Sequence, residues 1–254
     1  MDLSVEYAIP AVIAFAAAVV SSCAGFGGAI LLLPVLSALY GVQRALPILA
    51  CAQLVGNASR AVLGYATLRP RIILIFAGGL VPAGIFGTLY LTRFSESFVR
   101  PIIATIVCVA ALFEVGEAFG RLPRSLHRIR PPHEPGAWFF SAGALVGLIS
   151  AVGGTAGPLP NAFFLRLNLV PAAYIANEAA AMGLLHLAKL VAFGFGDWAR
   201  SQDIPLMIVI SLAMVLGTYA GKKMVTRIPV QKYRKGIAIW MLFAAASLFF
   251  VSAD

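Results

Sequence analysis

Apolar runs long enough to cross a bilayer recur along this chain, at roughly 7–23, 44–66, 72–91, 99–118, 170–195, 203–223 and 234–251. At 1.5 Å per residue, a helix of about twenty residues spans the ~30 Å hydrocarbon layer. A membrane β-strand needs only about ten residues and alternates apolar with polar. These runs are longer and do not alternate, so they predict helices that satisfy their own backbone inside lipid. Composition agrees: 61% of the 254 residues are apolar and 11% are charged. A soluble domain carries about 25% charged residues. The first run has Asp2 and Glu6 where a cleavable leader would be basic, and further spans follow it, so it reads as a span. The expected fold class is an all-α polytopic membrane protein.

One apolar run, Ile9 to Tyr40, is interrupted by SCAGFGGAILLLP, Ser22 to Pro34. Gly25, Gly27 and Gly28 lower the cost of leaving helical geometry. The pattern predicts a break followed by a short helix over 28–40. The first amides of that helix have no intrahelical acceptor and sit at the positive end of its dipole. Such an end is suited to an anion.

The interruption has an echo. At an offset of 126, Gly27, Gly28 and Pro34 fall on Gly153, Gly154 and Pro160 in ISAVGGTAGPLP. At an offset of 134, Gly87, Thr92, Arg93 and Arg100 fall on Gly221, Thr226, Arg227 and Arg234. Two matches in the same order, within the same series of apolar lengths, imply a duplication. The halves are a first transmembrane repeat, 1–120, and a second, 137–254, joined by the basic linker 121–136. With a further segment at 137–151 and a short segment after each glycine break, 28–40 and 156–166, the chain reads as having about eight spans and up to ten helical segments. Duplicated halves with interrupted segments in corresponding positions are a transporter pattern.

Charge bears on orientation. If each short segment and its neighbour make no net crossing, one side collects thirteen basic residues, from Arg69 and Arg71 through the linker to Lys235. The other side holds four, Arg44, Arg93, Arg100 and Arg200. If each pair makes one net crossing, the split is about seven against ten. The positive-inside rule favours the first arrangement. It predicts inverted halves in the plasma (inner) membrane, a cytoplasmic linker and both termini outside the cytoplasm.

Candidate binding residues lie on the long segment that follows each break. Gln53, Asn57 and Arg60 are four and three residues apart and share a helix face. Arg60 falls a few residues past the midpoint of the predicted 44–66 helix. Asn177, Glu178, His186 and Lys189 recur on the counterpart segment, with His186 opposite Arg60 at the 126 offset. A charge near the centre of a membrane helix costs roughly 2.5–3.5 kcal/mol or more, so such groups face a bundle interior or a wet cavity. Arg60 presents a rigid fork of donors suited to oxyanions. Lys189 and His186 add charge, and Gln53, Asn57 and Asn177 add neutral donors. Glu178 and His186 are the candidates for proton coupling, and Glu178 also reads as the group that holds Arg60 or Lys189 while the site is empty. The competing readings are salt bridges, helix–helix contacts and, for Lys189 near its helix end, snorkelling. Gly25, Gly27 and Gly28, with Gly153, Gly154 and Thr155 from the other half, complete a predicted site where two breaks face each other.

Other features read as structural. Glu114 and Glu117 lie close to an interface. Trp138, Trp198, Trp240, Tyr40 and Tyr65 fall near predicted ends, as interfacial anchors do. Gly84, Gly87, Gly217 and Gly221 suit close helix contacts. Cys23, Cys51 and Cys108 are scattered in apolar surroundings, so no metal site is expected. GFGG neither follows a strand nor opens a Rossmann unit, and no Walker motif is present, so no cofactor and no ATP hydrolysis are expected. No nucleophile–base pair suggests an enzyme. The net charge of +9 is accounted for by short loops that meet anionic lipid rather than nucleic acid.

AGFGGAILLLPVL (24–36), AVGGTAGPLPNAFFL (151–165), the segment after each, and the glycines near Gly87 and Gly221 together resemble the TauE/SafE family of sulfite and organosulfonate exporters. Gly25, Gly27, Gly28 and Pro34 match its first motif; Gly153, Gly154 and Pro160 match the second. Ala29 and Thr155 stand where the family often has a third glycine, and Pro158 is inserted into the second motif. The resemblance implies a secondary transporter, an exporter of a small oxyanion such as sulfite or an organosulfonate, with protons as a candidate partner beside membrane lipid. Alternatives are an anion channel, a carrier of small carboxylates and a non-transporting membrane scaffold. Neither the direction of transport nor the oligomeric state is set by the sequence.

Overall fold

The computed structural model describes residues 3–90, 134–152, 159–192 and 203–225, with 105, 108, 109, 112, 115, 116, 119–121, 232, 235, 236, 239, 240 and 242. The predicted spans 99–118 and 234–251, with Glu114 and Glu117, lie mostly or wholly outside the described residues, as do most of the linker and the second glycine break. The described elements are helical: α1 Leu3–Ala24, α2 Gly28–Tyr40, α3 Val42–Leu63, α4 Pro70–Tyr90, α5 Ala137–Val152, α6 Leu159–Leu165, α7 Pro171–Ala192 and α8 Ile204–Val225. Five of them, α1, α3, α4, α7 and α8, are long and apolar enough to cross a membrane. The protein is therefore an all-α polytopic membrane protein. Its outer face carries exposed apolar side chains such as Val12, Leu74, Leu212 and Leu216, the surface that lipid solvates.

The first glycine stretch breaks the helix where the sequence places the break. α1 stops at Ala24 and α2 starts at Gly28. Gly25 and Gly27 have φ of 87° and 107°, a region that costs a side-chain-bearing residue strain. α3 ends at Leu63, short of the predicted 66. The Gly64 amide closes back on the Arg60 carbonyl at 3.1 Å, and a 3₁₀ turn over Tyr65–Thr67 reverses the chain into α4. Arg60 consequently lies in the last turn of α3, not near its midpoint.

Helix directions follow from close contacts. On α4 and α5, a Cβ on Gly79 would strike the Phe140 carbonyl, one on Gly143 the Phe76 carbonyl, and one on Gly147 the Leu80 carbonyl. From Phe76 beside Gly143, through Gly84 beside Gly147, to Gly87 beside Ala151, residue numbers rise together, so α4 and α5 run parallel. On α8 and α1, Gly217 faces Phe15 and Ala18, and Gly221 faces Val19 and Ser22, again in parallel. α3 and α7 are antiparallel: Asn57 meets Gly183, Arg60 meets Glu178 and Gly64 meets Ala176. Small residues allow these backbones to approach closely, which is how helices associate where lipid removes the hydrophobic drive between them.

Two cores result. One joins α1, α2, α3 and α8 around Leu32, Leu36, Ile48 and Ile210. The other joins α4, α5, α6 and α7 with the end of α1. Phe76, Phe139 and Phe164 stack there with centroids 4.8–5.1 Å apart, within the favourable range for aromatic pairs. Each core draws helices from both sides of the linker.

The α4–α5 contact has no room for a side chain at Gly79. Gly79→Val is expected to lower stability by about 1–3 kcal/mol or more through overpacking. Gly236→Ala, where a Cβ meets nothing within 4 Å, is expected to be neutral. Thermal unfolding of both variants in detergent checks this.

Candidate functional site

When α1 stops at Ala24, its last carbonyls lose the amides that would have continued the helix. The Ser21 carbonyl still accepts the Gly25 amide at 2.7 Å, and Arg60 adds donors here. Its Nη1 donates to the Ser21 carbonyl at 3.1 Å and to the Gly25 carbonyl at 2.6 Å. Nη2 donates to Asn57 Oδ1, one turn earlier on α3. The Glu178 carboxylate, from α7, approaches Nη1 at 3.4 Å. Arg60 and Glu178 are both buried, at 7% and 3% exposure, so the pair joins the two cores inside the protein. Among the described residues, these bonds leave Nε–H and one hydrogen of Nη2 without an acceptor.

A cavity opens beside the guanidinium. It is lined by the Gly25–Ala29 break, Gln53, Asn57, Arg60, Glu178 and His186. Gly27 caps α2 without a side-chain bond, so the amides of the first turn have no intrahelical acceptor. Two side-chain nitrogens on the lining, Gln53 Nε2 and His186 Nδ1, are buried and without a partner among the described residues. A buried polar group without a partner costs roughly 1–3 kcal/mol. Such groups mark where a ligand or water belongs. Gln53 lies against the break itself: a Cβ on Gly28 would stand 2.9 Å from Gln53 Nε2.

The sequence-predicted residues divide cleanly. Gly25, Gly27, Gly28, Gln53, Asn57, Arg60, Glu178 and His186 come together. Of the two proposed partners for Glu178, the structure selects Arg60. Asn177 is elsewhere. It accepts the Arg69 amide at 2.7 Å and donates to the Thr67 and Ala173 carbonyls at 2.9 and 2.7 Å, holding the α3–α4 turn against α7. Lys189 is not in the cavity either, and it does not snorkel. At 4% exposure, its Nζ donates to the Ser150 carbonyl at 2.6 Å and to Ser150 Oγ at 2.8 Å. Carbonyls near the end of α5 are short of donors, and an inward cation meets that need. Gly153, Gly154 and Thr155 lie outside the described residues.

The sequence reading missed Asn161 and Tyr174. The Tyr174 hydroxyl donates to Asn161 Oδ1 and lies 3.4 Å from the Ala24 carbonyl. A Cβ on Gly25 would stand 2.7 Å from Asn161 Oδ1. These residues press α6 and α7 against the first break. The only hint was an amide immediately after the repeated LP, in LPNAFF. Trp240 was expected at an interface, but it packs on the break, its ring centroid 6.3 Å from that of Phe26.

Apolar spans packed through small residues, around a cavity that holds a buried arginine and unpartnered donors, define a polytopic helical membrane protein with an internal polar site. The sequence profile of the family described as Sulfite exporter TauE/SafE matches residues 10–248, and the chain belongs to that family. Comparison with curated proteins and with solved structures gave no match.

Removing one partner of a buried ion pair leaves the other charge stranded. Glu178→Ala is therefore expected to destabilise the protein by about 3–5 kcal/mol, read as a lowered thermal midpoint in detergent.

Proposed function

We propose that this protein is a secondary transporter, an exporter of a small oxyanion such as sulfite or an organosulfonate, and that the cavity beside Arg60 is its substrate site. It is read as a carrier and not an enzyme. One observation carries the proposal: a guanidinium with donors to spare, the first turn of α2 and the unpartnered Gln53 and His186 nitrogens converge on one buried space. Every one of these except the imidazole is a donor only or is donating here, which suits a ligand made of acceptors. Membership of an anion-exporter family supports the same reading.

The anion has a competitor in Glu178, which already approaches Arg60. Substrate that takes the guanidinium must displace this carboxylate, and a proton on Glu178 lowers the cost of doing so. The pairing thus couples anion binding to proton binding at one residue, with His186 on the same wall as a second proton carrier.

Alternating access in this reading uses inverted halves. Three facts support the inversion. Under the sequence offsets, α1 corresponds to α5, α3 to α7 and α4 to α8. α3 and α7 are antiparallel, and Asn57 touches Gly183, its own counterpart at the offset of 126. In a two-fold arrangement only residues on the axis meet their counterparts. The cross pairs also exchange as a two-fold requires: α1 packs in parallel on α8, and α4 in parallel on α5. With the basic linker in the cytoplasm, both termini lie outside it.

Arg60→Gln removes a charge-assisted donor and is expected to weaken methanesulfonate binding to purified protein about 10–100-fold; unchanged affinity would overturn the site assignment. Glu178→Gln is expected to keep saturable anion flux in proteoliposomes while losing its response to an imposed pH gradient. Flux that never saturates would instead identify a channel.

A further inference from the structure

A second cavity also borders Arg60. It occupies the end of the protein where α3 finishes, α7 begins and α8 finishes. Arg60 lines both spaces. The walls of the second cavity are Leu63, Gly64, Ala172 and Ile175, with Ser22 from α1 and Thr218 and Lys222 from α8.

Two of these side chains are unexplained by packing. Ser22 and Thr218 are 2% and 1% exposed, and neither hydroxyl has a partner among the described residues. A helical serine or threonine ordinarily spends its hydroxyl on the carbonyl four residues back. Ser21, Ser59 and Thr88 do so here, at 2.7–2.8 Å. Ser22 and Thr218 do not, and they come from neighbouring helices onto the same cavity. At its mouth Lys222 is exposed, with Nζ held on the Leu63 carbonyl at 2.6 Å. The lining of this one space thus includes a cation, two hydroxyls without an acceptor among the described residues, and Arg60.

We propose that Ser22, Thr218 and Lys222 form a second anion station, from which substrate passes to Arg60. It rests on the oxyanion reading of the central cavity. Lys222 draws the anion in, and the two hydroxyls donate to its oxygens. Leu63, Ala172 and Ile175 accommodate a short hydrocarbon body. Arg60 is then the shared ligand: bonded to the break it faces the central site, and rotated toward Ser22 and Thr218 it serves the outer one.

The test uses the full chain in proteoliposomes, with Cys23, Cys51 and Cys108 replaced by alanine and Thr218→Cys or Ser22→Cys introduced singly. A membrane-impermeant maleimide is expected to label either new thiol from one side only, the side that carries Lys222, and methanesulfonate is expected to slow labelling several-fold. In a separate measurement, Thr218→Val is expected to raise the flux KM several-fold from that side and leave methanesulfonate affinity at the central cavity unchanged. Two well-folded thiol variants that stay unlabelled from both sides, or labelling that ignores the anion, would overturn the second station. If that occurs while wild-type protein binds methanesulfonate in an Arg60-dependent way, the central site stands and the station alone falls. If wild-type protein binds no methanesulfonate, both fall together.

Discussion

A helix that stops inside a membrane protein leaves carbonyls that nothing in lipid can satisfy. Here the Arg60 guanidinium donates to the Gly25 carbonyl just past the end of α1, and to the Ser21 carbonyl beside its helical bond from the Gly25 amide. The rest of the centre follows from that choice. A buried cation requires a counter-charge, and Glu178 brings one from α7. The carboxylate can reach only if α3 and α7 cross closely, which Gly183 and Gly64 permit. The break in turn needs a backbone that turns left-handed twice, at Gly25 and Gly27. Chain break, ion pair and helix crossing depend on one another, and the cavity is the space they leave between them.

The same economy recurs less fully in the second half. Lys189 meets the Ser150 carbonyl near the end of α5, as Arg60 meets the carbonyls at the end of α1. At the offset of 126 the counterpart of Arg60 is His186, not Lys189, and the two buried cations take different parts. One retains unused donors beside a cavity. The other is bonded to both the carbonyl and the hydroxyl of a single serine.

Much of this was legible from residue order, and the reasons are local. Glycines in an apolar run announce the break because few other residues accept positive φ. Gln53, Asn57 and Arg60 declare a common face because helical periodicity fixes it. Their partners were harder to read. Nothing along the chain tells Asn177, bonded to the turn at Thr67 and Arg69, from a ligand-facing amide; the difference is set by where α4 begins. Lys189 looked free to snorkel because its position near a helix end is visible and the α5 carbonyl awaiting it is not. Arg60 looked central because the apolar pattern runs past Gly64, whose cap ends the helix early. Asn161 and Tyr174 matter through a contact with Gly25 that spans more than a hundred residues.

The glycine contacts that bring α1 onto α8 and α4 onto α5 have a further consequence. Among the described helices, each core draws on both sides of the linker: α8 packs with α1, α2 and α3, and α4 with the end of α1 packs with α5, α6 and α7. The unit of ancestry that the repeated motifs suggest is therefore not the unit of packing. A chain severed at the linker would yield two fragments that each lack a helix of their own core. Each fragment would carry the helix that the other lacks, so the pieces would have to trade helices to become whole.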